Sequence, residues 1–269
     1  MKRLFNELLN KWRLLDFHRR GTHRYDSSFR IVTAVPTGSP QPPPPVLRQL
    51  PLPNLTLLAD ARPADWIRTS VTTFAKNLGS FLPGHFPAYA RVFHPFRPGA
   101  RFPESVPSWR ELANMEGWDL NSGATAFDFA MDGVDQMQAP VGSAPLSVIE
   151  PLVEHLTSAT TTPEDCYFAV WEGWGGSIIP HTHPATFQLP FRGYHLFAGP
   201  LPAARTDYSS FPIGEIQSAS LWWPADRAWC VATEVDHAWT YIGGSRAVID
   251  AILADTRLES VERSSTEAW

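Results

Sequence analysis

Apolar positions recur at helical spacing in several stretches of the chain. In residues 2–16, Leu4, Phe5, Leu8, Leu9, Trp12 and Leu15 fall three or four apart. That spacing predicts an amphipathic helix with Lys2, Arg3, Lys11 and Arg13 off its apolar stripe. Pro63–Leu78 turns Trp66, Ile67, Val71, Phe74 and Leu78 inward, with Gly79 where a C-terminal cap would sit. A shorter helical pattern covers Ser108–Met115. Leu146–Leu156 sets Val148, Ile149, Leu152, Val153 and Leu156 on one side. Ser245 precedes Val248, Ile249, Ile252 and Leu253 and reads as the N-cap of a last helix ending near Ala254.

Other stretches have strand character. These are Phe29–Val35, Ala88–Phe93 (stopped by Pro95), Gly193–Phe197, Ala219–Trp223, Arg227–Val235 and Trp239–Ile242. Cys166–Trp171 is apolar on both faces, which predicts a central strand. Pro224-Ala225-Asp226 suits a type I turn, so the strands on either side of it should form a hairpin. Residues 36–53 are dense in proline and predict a polyproline II arm, because proline fixes φ and lacks an N–H. No repeat and no regular βαβ alternation appears. The expected fold is therefore α+β, a mostly antiparallel sheet with helices packed on one face, plus an N-terminal helix and a proline-rich arm. Three parts are expected: a basic helix and linker at 1–53, a single α+β domain at 54–258, and a polar tail at 259–269.

Composition supports a real core, with 43% hydrophobic and 12% aromatic residues among 269. The formal net charge of −5 argues against nucleic acid as a partner of the whole chain. Charge is uneven, however. Residues 1–30 carry eight Lys or Arg against three Asp or Glu. The basic helix could pack on its own domain, dock on a partner or lie on a membrane surface. No run reaches the ~18 apolar residues of a bilayer span, and the N-terminus does not resemble a signal peptide. Cys166 and Cys230 sit in apolar strands, which suggests free buried thiols and a cytoplasmic setting. A bridge between them stays open at this point, since geometry decides it.

Three groups of residues could carry chemistry. His181 and His183, at i and i+2, could share a metal if they lay on a strand. With Gly175, Gln188 and Gly193 they resemble the first cupin motif, but Gln188 stands where a cupin has Glu, and no second motif follows. Pro180 and Pro184 flank the pair and favour an exposed loop. Glu234 and Asp236 are the stronger candidates. Alternation puts them with Ala228, Cys230 and Ala232 on a small-residue face, about 7 Å apart at Cα. There they could bind a metal or share acid–base work with His237 or His195. Trp222, Trp223, Asp226 and Arg227 could form a binding patch, against core packing for the indoles and a local turn role for the charges. No phosphate loop, nucleophile elbow or zinc-ligand set is present.

The blocks FLPGHFPAYARVFHP, TTTPEDCYFAVWEGWG, GYHLFAGPL and LWWPADRAWCVATEVDHAWTYIGGS resemble a family of uncharacterised, mainly actinobacterial proteins. The resemblance spans about residues 80–258 and implies a shared fold, with no activity or catalytic residues to transfer. The L-P-x-x-F block is also similar to one in a family of immunity and scaffold proteins, which would imply protein binding. The sequence thus predicts a non-catalytic, cytoplasmic protein-binding domain that needs no cofactor and has another protein as partner. The alternative is an enzyme of unassigned class, in its sharpest form a metal-assisted hydrolase using Glu234 and Asp236.

Overall fold

A computed structural model of the chain describes residues 52, 54–73, 77–97, 106–117, 119–120, 139–174, 177–179, 183–209 and 216–266. The expected N-terminal helix, the Phe29–Val35 strand, nearly all of the proline-rich arm and His181 lie outside the described residues.

Among the described residues nine strands join in one sheet: β1 (Thr56–Leu57), β2 (Ala88–Phe93), β3 (Cys166–Trp171), β4 (Thr186–Leu189), β5 (Arg192–Gly199), β6 (Leu221–Pro224), β7 (Cys230–Thr233), β8 (Trp239–Gly244) and β9 (Ser260–Arg263). Their order is β1-β5-β3-β6-β7-β8-β2-β9, with β4 also on β5. Every ladder is antiparallel. β4 and β1 follow one another along the edge of β5 that faces away from β3. Four helices among the described residues accompany the sheet: α1 (Asp65–Ser70), α2 (Trp109–Glu116), α3 (Leu146–Thr157) and α4 (Arg246–Ala254).

The sheet is covered on both faces, which corrects the expectation of helices on one. Val148, Ile149 and Leu152 of α3 and Val248, Ile249 and Ile252 of α4 pack with Phe168, Trp222 and Val231 on one face. Trp66 and Ile67 of α1 and Trp109 and Leu112 of α2 pack with Trp223, Cys230 and Ala232 on the other. The reason lies in the strands. Trp222 and Trp223 point to opposite faces, and β2, β6, β7 and β8 are buried at every position, so neither side can be left to water. Cys166 and Cys230 are on opposite faces, with β6 between their strands, so no bridge joins them.

Three further expectations need correction. The helix predicted over Pro63–Leu78 ends at Ser70, where the Thr69 and Ser70 hydroxyls bond back to the carbonyls of Asp65 and Trp66 and Val71 leaves the helical region. Gly79 lies in a separate 3₁₀ turn, Leu78–Ser80. Part of the expected histidine loop is strand β4. The expected polar tail holds β9, paired with β2 from Tyr89↔Arg263 to Val92↔Ser260.

The segment ahead of β9 also fixes α2. Ser108 Oγ accepts from Glu111 N at 3.1 Å, and the Glu111 carboxylate accepts from Ser108 N at 2.8 Å. The Glu259 carboxylate accepts from Trp109 N at 2.8 Å and Arg110 N at 2.6 Å. The first three helical N–H groups are thereby satisfied, two of them by a charge well placed on the helix dipole. Glu259→Ala should cost about 1–2 kcal/mol. It should appear in urea denaturation as a lower midpoint with an unchanged slope.

Candidate functional site

The candidate site lies at one end of the sheet, where β3 and β7 finish and β5 begins. β4 and β5 are joined by a two-residue loop, Pro190-Phe191, with Leu189 paired to Arg192. So tight a loop needs a residue at positive φ, the place of glycine or asparagine. Phe191 fills it at φ 67°, and 80% of the residue is exposed. A bulky residue in this region is strained. Arg227 is also left-handed, at φ 57°, but its guanidinium lies over the Trp66 ring at 5.5 Å.

Arg192 holds this loop in place. Its Nη1 donates to the Phe191 carbonyl at 3.1 Å. Its Nη2 donates to Glu234 Oε1 at 2.6 Å and to Asp236 Oδ2 at 3.0 Å. The guanidinium lies over the Trp171 ring, 5.7 Å from its centroid. β3 and β6 lie between β5 and β7. The pair therefore bridges three strand spacings, roughly 14 Å. The Glu234 side chain is only 4% exposed and the Arg192 side chain 19%, whereas that of Asp236 is 69% exposed. Burial pushes the Glu234 carboxyl up, against the pull of Arg192. Burial also works to lower Arg192, but the Glu234 charge outweighs it and raises the guanidinium. At 2.6 Å the ion pair is the form the geometry favours.

The parity argument thus holds for Cys230, Ala232 and Glu234, which share a face, and fails at Ala228, which lies in the turn and packs on the other side. Ala232 and Glu234, with Ser80, Ser220, Thr233 and Arg192, line a cavity of about 10 Å³. That is room for about one water and not for a substrate. The expected acid–base or metal pair is instead one buried and one exposed partner of the same arginine.

The other candidates are placed as follows. His237 is buried, with its ring 4.6 Å from Trp239 and 5.4 Å from Phe81; burial first, then Arg91, Arg192 and His94, lowers its pKa to about 3. His195 projects from β5 on the alternation opposite to Arg192 and Tyr194, and stacks on His183 at 5.5 Å. It cannot act beside Glu234. His183 is also buried; its Nε2 donates to Leu196 O at 2.8 Å, and the ring stacks on Phe197. Among the described residues, no group of three or more His, Cys, Asp or Glu could hold a metal ion. Trp222 and Trp223 are buried in the two cores and form no surface patch. The Asp226 carboxylate accepts from Thr160 Oγ1, Thr161 N and Ala228 N, a local turn lock. Burial raises Cys166 to about 12 and Cys230 further, so neither is an activated thiol.

One buried polar chain passes close to the site. His94 Nδ1 lies 2.6 Å from Pro140 O, which can only accept, so Nδ1 carries the proton. Nε2 then accepts from Thr240 Oγ1 at 2.9 Å, and Thr240 accepts from Thr233 at 2.8 Å. Burial lowers His94 to about 4.

The sequence reading missed Phe191 and Arg192. The signal was there, since alternating TFQL and RGYHLF flank two residues in the pattern of a hairpin. The lack of glycine or asparagine in the loop hid it. No protein-family profile matches the chain, and no curated protein or solved structure does. No helix among the described residues is long and apolar enough to cross a membrane.

The histidines give a pH prediction. His94, His183 and His237 all keep folded pKa values below the unfolded value near 6.5. The unfolded chain then binds protons first, so stability is full above about pH 6.5 and falls as pH drops toward 4. The raised Glu234 and Glu259 carboxyls pull the other way, near their own titration. Urea midpoints measured from pH 7.5 to 5 should decline, by up to about 1.4 kcal/mol per pH unit for each histidine. His94→Asn should flatten the slope.

Proposed function

We propose that this is a non-catalytic protein-binding domain whose contact residue is Phe191. The observation that carries the reading is a large aromatic side chain held in a strained left-handed conformation with 80% of it in water. Strain at a bulky residue costs stability, and strain of this kind gathers where a site serves a function. The half-buried Trp171 and Trp174 meet edge to face at 5.5 Å beside the hairpin and extend the apolar surface. Aromatic anchors supported by a rigid surround are the residues that dominate protein interfaces. Arg192, Glu234 and Asp236 are positioning residues in this reading, since they hold the loop that presents Phe191.

A cytoplasmic setting belongs to the same proposal, supported by two buried thiols far from any pairing geometry. So does kinship with the family whose blocks the sequence resembles, which brings no catalytic residues to carry over. The enzyme reading loses its residues, because the two carboxylates it needs are engaged by Arg192 over a cavity of about 10 Å³.

Asparagine tolerates the left-handed region, so Phe191→Asn should raise stability by about 1 kcal/mol in urea denaturation. In parallel co-purifications of the full chain from its native cells, the wild type should retain a partner that the variant loses. Equal retention, or a variant destabilised by more than about 1 kcal/mol, would show that Phe191 serves the fold instead.

A further inference from the structure

The charges around Phe191 point to the class of its partner, an inference that rests on the binding reading above. Arg192, the basic group of the tip among the described residues, is mostly buried and spent on Glu234 and Asp236. Two acidic side chains stay in water there. Asp236 is one. Glu172 is the other, bonded through its N–H to Gly193 O at 2.9 Å, with its carboxylate packed against Gly193 two residues beyond Phe191. Gly142 packs on Trp174 and the Val235 carbonyl, which brings the half-exposed Val141 to the same end of the sheet. The tip thus has an apolar centre and an acidic rim.

The wider field has the same sign. After residue 30 the chain holds 14 Lys or Arg against 24 Asp or Glu, a formal −10. Such a field draws in cations and repels nucleic acid and anionic lipid. We infer that the partner is a protein segment carrying Lys or Arg around an apolar pocket or cluster that receives Phe191. Complementary rim charge mainly speeds encounter and rejects wrong partners, while the buried anchor sets the lifetime of the complex.

The test uses the full chain as bait for a phage-displayed library of random linear peptides, with Phe191→Asn as counter-selection. Binders that depend on Phe191 should be rich in Lys and Arg beside bulky apolar residues. A selected peptide, synthesised and titrated by calorimetry, should bind about threefold more weakly to Glu172→Gln, a side chain outside the Arg192 clamp, and should also weaken when salt is raised from 50 to 500 mM. Thermal melts confirm that the variants are folded. Phe191-dependent binders that are neutral or acidic, with salt-insensitive affinity, would overturn the basic partner and leave the binding surface standing. No Phe191-dependent binders at all would overturn both. Sedimentation of the protein with phosphatidylcholine–phosphatidylserine vesicles, lost in Phe191→Asn, would assign the tip to a membrane surface and overturn the proposal.

Discussion

One guanidinium fixes the end of the sheet. Arg192 begins β5 near an edge, Glu234 follows β7 near the middle, and their 2.6 Å contact crosses the ends of β3 and β6. A buried ion pair is a costly way to gain stability, because both charges leave water. It is a strong way to fix geometry, because losing Arg192 strands Glu234 in the interior and losing Glu234 leaves Arg192 only the exposed Asp236. Here the same arginine stacks on Trp171 and holds the Phe191 carbonyl. The hairpin loop, the cavity beneath it and the turn after β7 are therefore one mechanical unit. Asp236, in water, adds direction more than energy.

The rest of the molecule supplies a stiff platform for that unit. Its strands are apolar on both sides, so two cores are needed, and each draws indoles from the same short stretch of chain. Several of the polar groups inside find partners there. His94 lies between a carbonyl and a threonine pair, and Trp109 and Trp229 donate to the carbonyls of His94 and Leu156. Arg91, fully buried, lies over Trp239 at 4.8 Å and donates to the Tyr241 hydroxyl. Such interiors are unforgiving of change, which leaves the rim as the place where sequence can serve binding.

Local rules made much of this legible in the sequence. The bounds of β2 and β3 coincide with the apolar runs that predict them, and Ser108 and Ser245 cap the helices they precede. Tertiary placement was harder to read. β9 has one buried apolar residue, Val261, and is a strand only because β2 offers a free edge. Helices on both faces follow from Trp222 and Trp223 only once β6 is known to be central. At the site, parity correctly put Glu234 with Cys230 and Ala232. Nothing within that segment could show that Arg192, some forty residues earlier, would reach it. A carboxylate pair read alone resembles chemistry, and the same pair beside an arginine reads as architecture.

Phe191 gains meaning from that architecture. In a loose loop an exposed phenylalanine would fold back or change its backbone. Arg192 holds the Phe191 carbonyl, so the strained backbone of the loop is fixed, and under the proposed binding role the loop would dock with that backbone already ordered. The account depends most on the coupling of Arg192 to Glu234. A double-mutant cycle with Arg192→Met, Glu234→Met and the double variant, followed by urea denaturation, measures it directly. Arg192→Met should cost about 3–5 kcal/mol by stranding Glu234, Glu234→Met less because Asp236 still holds the guanidinium, and the double should cost clearly less than the sum. Single losses that add to within about 0.5 kcal/mol would contradict the clamp.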